Sequence, residues 1–263
     1  KNCAEQRAAV PVLGITGTGG AGKSSLTDEL IRRFRLYSDE PRIAVIAIDP
    51  SRRKTGGALL GDRIRMNAIS SPNIFMRSLA TRGSESEVPP AISDIVVACK
   101  AAGYDLIIVE TPGIGQGDAA IVPQVDVALY VMTPEFGAAS QLEKIDMLDF
   151  ADVVAINKMD RRGALDALRD VRKQVQRNQE AFGQDLEQMP VFGAIASRFS
   201  DLGVTAIYQE LLKQFEKRGL CNWPCAIAPV KTRTSELRAA ILPPECQRYL
   251  ADISACVRAY HAN

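Results

Sequence analysis

Eight residues, Gly17-Thr18-Gly19-Gly20-Ala21-Gly22-Lys23-Ser24, separate an apolar run, Val12 to Ile15, from a helix-forming stretch, Leu26 to Phe34. A glycine-rich loop that ends in Lys-Ser between a strand and a helix is a phosphate-binding loop, and it commits the chain to an α/β fold. Its glycines let the backbone curl so that several N–H groups and the positive end of the following helix face a β-phosphate. On this reading Gly19, Gly20, Ala21, Gly22, Lys23, Ser24 and Ser25 line a nucleoside triphosphate. Lys23 reaches the β- and γ-phosphates, and the Ser24 hydroxyl is placed to coordinate Mg²⁺, an ion that takes oxygen ligands in near-octahedral geometry. The competing reading is a plain turn between strand and helix, and eight matching positions in the right context leave little room for it.

A second motif selects the base. Asn157-Lys158-Met159-Asp160 follows the apolar run Val153-Val154-Ala155-Ile156, which puts it at a strand end, on the edge of an α/β sheet where ligands bind. A carboxylate at Asp160 accepts two hydrogen bonds from the N1–H and exocyclic amine of guanine. Adenine has no matching pair of donors and would leave the charge unpaired. Asn157 is expected to tie this loop to the phosphate loop, with the Lys158 stem along the base. A solvated turn is the alternative, and GTP or GDP is the expected ligand.

Apolar, β-rich runs recur at Val12 to Ile15, Ile43 to Ile48, Ile74 to Leu79, Leu106 to Val109, Val127 to Met132, Val153 to Ile156 and Val191 to Ile195. Helical patterns lie between most of them, at Ser24 to Leu36, Pro90 to Ala102, Gln141 to Phe150, Gly163 to Phe182 and Thr205 to Arg218. Continuous apolar strands alternating with helices predict a three-layer α/β fold with a largely parallel sheet covered on both faces. The predicted GTPase domain spans residues 1–219. After Gly219 four prolines, Pro224, Pro229, Pro243 and Pro244, interrupt regular structure, and residues 220–263 read as an arm or interdomain linker. It ends in an apolar stripe at helical spacing, Tyr249, Ile253, Val257 and Tyr260, which either docks on its own domain or packs against another.

Composition narrows the chemistry. A formal net charge of +1 gives no electrostatic footprint for nucleic acid or an anionic membrane. No apolar stretch approaches the roughly 20 residues of a membrane span, and residues 1–10 do not resemble a signal peptide, so a cytoplasmic protein is expected. Six cysteines in a domain of this size are expected to be reduced thiols. Cys221 and Cys225 flank Trp223 and Pro224, but the single histidine, His261, offers them little as a zinc partner. One histidine also removes Ser-His-Asp hydrolysis, leaving metal, lysine, carboxylates and backbone to carry catalysis. The chain starts at Lys1 without an initiator methionine, which suggests a processed product or a segment of something larger.

Two carboxylates are expected at strand ends beside the phosphate loop, in Asp49-Pro50-Ser51 and Glu110-Thr111-Pro112-Gly113. Between them the segment Gly56 to Met66, with its glycines and charges, suits a mobile nucleotide sensor and contributes Asp62. Asp49, Asp62 and Glu110 are candidate inner- or outer-shell partners of Mg²⁺; for Asp62 alone a helix cap or solvated turn is an equal reading. Together, Ile48 to Ser51, Gly56 to Met66, Glu110-Thr111-Pro112-Gly113-Ile114-Gly115-Gln116 and Asn157 to Asp160 resemble the GTPase chaperones of adenosylcobalamin-dependent acyl-CoA mutases, the relatives of the methylmalonyl-CoA mutase-associated GTPase. Ser78 to Gly83 and the tail Arg248 to His261 look closer still to the G domain of the fused isobutyryl-CoA mutases, where a G domain lies between cobalamin-binding and substrate-binding domains. The resemblance covers roughly Val10 to Gly219, and Glu-Thr in place of the commoner Asp-Thr is distinctive.

The resemblance implies Mg²⁺ held through Ser24, Asp49, Asp62 and Glu110, and guanine held by Asn157, Lys158 and Asp160, with Ala196 and Ser197 as the remaining base-contact loop. It implies mobile segments near Thr55 to Met66, Gly113 to Val122 and Glu135 to Lys144, with Lys144 as the third switch's lysine, although Ala138-Ala139-Ser140 lack the acidic pattern of stand-alone relatives. It also implies partners: the cobalamin-binding and substrate-binding domains of a mutase, in cis or in trans, in a homodimeric assembly whose adenosylcobalamin sits in the partner domain. Where many GTPases place a water-orienting glutamine this chain has Ile114, which predicts slow intrinsic turnover. The alternatives are a small-molecule kinase, which needs an acceptor pocket and a base, and a metal-delivery GTPase, which needs more histidine or cysteine.

Overall fold

Seven apolar runs become seven strands: β1 Val12–Gly17, β2 Ile43–Asp49, β3 Ile74–Ala80, β4 Leu106–Glu110, β5 Val127–Met132, β6 Val153–Asn157 and β7 Val191–Ala194. They form one sheet in the order β3-β2-β4-β1-β5-β6-β7, and every pairing is parallel. This computed structural model describes residues 10–37, 40–49, 66–81, 88–113, 118–137, 142–221 and 223–235, together with Val257 and Tyr260. Among the described residues, the α-helices whose bounds are defined are α1 Lys23–Tyr37, α2 Ile92–Ala101, α3 Met147–Phe150, α4 Ala164–Asn178 and α5 Leu202–Lys217.

Strand residues alternate between two apolar layers, as the period of two demands. Leu13, Ile15, Val127, Leu129, Val153 and Ala155 meet α1 and α5 through Leu30, Phe34, Ile207 and Tyr208. Val12, Ala44, Ile46 and Ile107 meet Ile92 and Val96 of α2, while Tyr130, Val154 and Ile156 meet Leu168 and Val171 of α4. Both faces are covered, and the fold is the three-layer α/β arrangement expected. The connections after β1 and β4 run to opposite sides of the sheet, to β2 and to β5, which makes the carboxyl ends of these two strands the switch point at which α/β folds carry their ligand crevice.

Three helices differ from the sequence pattern. The stretch read as a helix from Gln141 to Phe150 is described from Leu142, which is helical; residues 143–146 are a turn, and the short α3 follows. Its bonds are mostly three residues apart, Ile145 N to Leu142 O and Leu148 N to Ile145 O, with one four-residue bond from Ala151 N to Met147 O. That winding still buries Leu142, Met147 and Leu148, which is why the apolar spacing resembled a longer helix. α4 stops at Asn178, four residues before Phe182, because Glu180 turns left-handed (φ 51°) and the Ala181 N–H closes back on Gln176 O. α5 begins at Leu202, earlier than Thr205, because the Asp201 carboxylate accepts from Val204 N and caps it.

The chain beyond Gly219 returns to the body of the fold. Leu220, Cys221, Trp223 and Ile227 pack against the α1–α5 layer, with Trp223 edge-on to Phe34 at 5.5 Å between ring centroids. Farther on, Thr234 bridges Gly193 of β7 in parallel. Of the C-terminal stripe, Val257 and Tyr260 are helical and exposed; Tyr249 and Ile253 lie outside the described residues.

Candidate nucleotide site

The register fixes what surrounds the crevice. Glu110, the last residue of β4, is level with Ile15 of β1 and Ala47 of β2. Gly17 and Asp49 therefore sit two residues farther out on the flanking strands, on either side of the chain leaving β4. Gly17 opens the phosphate loop, which is pinned at its start by Thr18 N to Val131 O (3.1 Å) and at its end by Leu26 N to Gly22 O (3.0 Å).

Lys23, the first residue of α1, is 8% exposed, and its ammonium donates to Gly17 O at 2.9 Å and Thr18 O at 3.1 Å. Carbonyl partners are what a nearly buried cation requires. The chain after β4 presses on the same place. Gly113 has φ +66°, and a Cβ there would lie 1.8 Å from Gly17 O and 2.2 Å from Lys23 Nζ. Only glycine lets the β4 loop lie across the lysine. The phosphate loop, its lysine and the Glu-Thr-Pro-Gly loop thus form one packed unit.

Behind the lysine lies an oxygen-rich cluster. Ser24 Oγ donates to Glu110 Oε1 at 2.7 Å, and Thr27 Oγ1 donates to Glu110 Oε2 at 3.0 Å. Glu110 and Asp49 are each 4% exposed. One serine hydroxyl held by a buried carboxylate, with a second buried carboxylate at the neighbouring strand end, is a hard-oxygen donor set of the kind Mg²⁺ prefers. Asp62 lies outside the described residues, as do Ile114 and Gln116. Ser25 is exposed on the first turn of α1.

The end expected to take the base is tied to the phosphate loop by one side chain. Asn157, at the tip of β6 and buried, donates from Nδ2 to Ala21 O at 2.7 Å and accepts at Oδ1 from Ala196 N at 2.9 Å. It joins the phosphate loop, β6 and the turn after β7, as the sequence led us to expect. The approach is so close that a Cβ on Gly22 would lie 2.5 Å from Asn157 Nδ2. Lys158 adopts φ 62° and stretches its ammonium to Gly20 O at 2.7 Å. Asp160 and Ser197 are exposed on the rim of this end, and Ala196 is buried beneath it.

The third predicted mobile segment is described at its two ends. Glu135, in the short 3₁₀ turn Pro134–Phe136, pairs with Arg161, the residue after Asp160. The Thr133 hydroxyl, the backbone N–H of Glu135 and Arg161 together hold its carboxyl down to about 2. Lys144 is exposed on the turn before α3 and, among the described residues, makes no hydrogen bond or ion pair.

Sequence reasoning overlooked Thr27, Asp201 and the hydroxyl pair of Thr111 and Thr16 (2.7 Å). Thr27 carried a usable signal, since it follows Lys23 by one helical turn and so faces the same crevice. Asp201 carried the signal of a helix cap. Nothing in the sequence pairs Thr16 with Thr111 before the strand register is known.

A family model for methylmalonyl Co-A mutase-associated GTPase MeaB matches residues 2–220. Fused isobutyryl-CoA mutase from Cupriavidus metallidurans is 68% identical over 255 residues, which is 97% of this chain and 23% of that protein. The fused isobutyryl-CoA mutase of Geobacillus kaustophilus is 54% identical over 252 residues, 96% of this chain and 23% of that protein. The chain thus spans about a quarter of the length of these relatives. Among solved structures, a LAO/AO transport system kinase superposes with a TM-score of 0.54 at 22% identity, covering 82% of this chain and 70% of that one. Hydrogenase maturation factor HypB from Archaeoglobus fulgidus gives 0.54 at 18% identity, covering 83% and 97%. At such identities the structural likeness establishes the fold alone.

Proposed function

Because the chain belongs to the methylmalonyl Co-A mutase-associated GTPase family, MeaB, we propose that it is a Mg²⁺-dependent G domain that gates the loading and protection of adenosylcobalamin on an acyl-CoA mutase. The observation that carries this reading is the junction at Asn157. One buried amide bridges the loop built for phosphates and the turn after β7, whose Ala196 N–H it accepts, so a guanine nucleotide would be sensed at both ends at once.

In this reading Gly19 to Ser25 hold the phosphates, and Lys23 neutralises charge that develops on the γ-phosphoryl group. Asn157, Lys158, Asp160, Ala196 and Ser197 hold the base, the Asp160 carboxylate taking guanine's N1–H and amine. Ser24, Asp49, Asp62 and Glu110 hold Mg²⁺, which when bound supplies further neutralisation of phosphate charge. Thr27 supports the set by fixing the second oxygen of Glu110. The Ile114 side chain offers no hydrogen bond to a water, so turnover is slow until a moving segment or a partner supplies the missing group. Such a protein acts as a timer, and a partner that binds one nucleotide state better than the other reads its setting.

The relatives support a mutase as that partner. We take the unit 1–219 as the G domain and 220–263 as the arm that leads to neighbouring domains; Leu220, Cys221, Trp223, Ile227 and Thr234 of this arm lie against the G domain. The full assembly would be a homodimer containing the cobalamin-binding and substrate-binding domains of an isobutyryl-CoA mutase. No helix among the described residues is long and apolar enough to cross a membrane. A cytoplasmic setting fits that observation and the mutase partner. The kinase and metal-delivery readings are not favoured, since the family match and the mutase relatives point elsewhere.

Phosphate release by the full chain, with and without the cobalamin-binding and substrate-binding domains, tests the proposal. The expected result is hydrolysis of GTP and not ATP, stopped by EDTA, at a rate the mutase domains change, with cobalamin transfer that depends on the nucleotide. Lys144→Ala is expected to reduce the partner-dependent change more than basal turnover. Identical rates together with nucleotide-independent transfer would overturn it.

A further inference from the structure

The segment that leaves α5 ends in a buried contact under the base end. Gly193 N donates to Arg233 O at 2.9 Å and Ser235 N donates to Gly193 O at 2.9 Å, so residues 233–235 lie along β7 as a single parallel bridge. Arg233 locks this strap from the side: its guanidinium donates to Gln188 O (2.9 Å) and Met189 O (2.6 Å) and stacks over the Phe192 ring, 5.2 Å from its centroid. Ser235, 8% exposed, then places its hydroxyl 2.8 Å from Asp201 Oδ1.

Asp201 is 2% exposed, and the same Oδ1 also accepts from Ile195 N (3.2 Å) and Val204 N (3.0 Å). One carboxylate oxygen therefore holds the end of β7, the start of α5 and the exit strap. A carboxylate this deep depends on its donors, because each one lost leaves charge without compensation. Ile195 is the residue before Ala196, whose N–H completes the Asn157 bridge to the phosphate loop. The fit has no slack on its third side: a Cβ on Gly203 would lie 1.9 Å from Gly193 O and 2.7 Å from Ser235 Oγ.

We propose that Ser235 is a positioning residue for guanine recognition, acting through Asp201 on the Ile195–Ala196–Ser197 turn. This rests on the guanine-nucleotide reading of the site. Ser235 touches no nucleotide in this scheme. Its hydroxyl donates to Asp201 Oδ1, Asp201 holds Ile195 N–H and Asn157 holds Ala196 N–H, so the next backbone donor of the turn, Ser197 N–H, is the one set toward the base, where a purine with a carbonyl at C6 accepts it and adenine does not. The segment after α5 is thereby built into the specificity of the site.

The test compares GDP and inorganic pyrophosphate as ligands of the full chain, native and Ser235→Ala. Pyrophosphate uses the phosphate loop alone, whereas GDP uses both ends. Loss of one hydroxyl donor to a buried carboxylate is expected to weaken GDP about threefold to tenfold, with pyrophosphate affinity unchanged and kcat for GTP at saturation within about twofold. Ser235→Thr, which keeps the hydroxyl, is expected to recover most of the GDP affinity. Unchanged GDP affinity in Ser235→Ala, or an equal loss for GDP and pyrophosphate, overturns the proposal, the latter because it reports general loosening of the domain. A native chain that binds pyrophosphate but not GDP would instead sink the guanine reading on which the proposal stands.

Discussion

The two ends of the crevice are held by different means. At the phosphate end, backbone meets backbone: Gly113 lies on Gly17 so closely that no side chain fits, and Lys23 is clasped by two carbonyls of its own loop. At the base end, side chains bridge separate segments, Asn157 from β6 to Ala21 and Ala196, and Asp201 from α5 to Ile195 and Ser235. The first construction is over-determined and tolerates little change of shape. The second hangs on a few hydrogen bonds between elements distant in sequence, so a pull on any one of them reaches the others. On the proposed function both have a use, a rigid seat for the phosphates and an adjustable grip on the base.

The sharpest way to break this contrast is at its rigid end. Lys23→Ala removes charge neutralisation without altering the glycines, and hydrolysis is expected to fall by roughly 10²-fold or more. Thermal stability of the nucleotide-free protein should hold or rise, because the substitution removes a nearly buried cation. Undiminished phosphate release would show that the loop works without its lysine.

Asn157→Ala attacks the bridge between the ends. It leaves Ala21 O and Ala196 N–H without their partner in a buried place, and GDP affinity is expected to drop about tenfold to a hundredfold. If affinity for GDP and pyrophosphate fell alike, the two ends would be one cooperative unit and the contrast would fail.

Legibility in the sequence follows the same division. The phosphate end could be read from the chain because its requirements are local: glycines, one lysine and one serine within eight residues, followed by a helix. The parallel sheet was legible for a similar reason, since strands buried on both faces are continuous apolar runs. Asn157 could be placed because its motif sits at a strand end. Asp201 and Ser235 could not, because their meeting depends on where the chain turns after α5, and no periodicity encodes that return. The turn before α3 was misread because Leu142, Met147 and Leu148, buried with Ile145 half-buried between them, imitate a helical face over so short a span.

At the exposed rim of the base end, a smaller and more selective effect is expected. Asp160→Asn keeps the shape and exchanges an acceptor for a donor, so guanine loses at least about tenfold in affinity while xanthine, which carries an oxygen in place of the amine, gains. Competition between GDP and XDP for the variant measures this. Unchanged preference for guanine would mean that the backbone of the Ala196 turn, and not Asp160, chooses the base.

The smallest expected effect lies where the base end meets the third segment predicted to move. Glu135 is held to about 2, first by the Thr133 hydroxyl, then by its own backbone N–H and by Arg161, against an ordinary value of 4.5. A carboxyl whose value is lowered on folding binds its proton more readily in the unfolded chain, so its contribution to stability is present above about 4.5 and disappears as the pH falls toward 2. Both partners of the ion pair are about half exposed, 49% each, and solvent screens most of the attraction. Glu135→Gln should therefore lower the melting temperature only slightly at neutral pH. The gap between native and variant should shrink to nothing between pH 4.5 and 2. The pair joins the residue beside Asp160 to the start of the segment that ends at Lys144, so the same variant should also alter how GTP changes proteolysis of residues 135–144 without altering affinity for pyrophosphate. A gap in melting temperature that persists at pH 2 would show that Glu135 acts by packing and not by its charge.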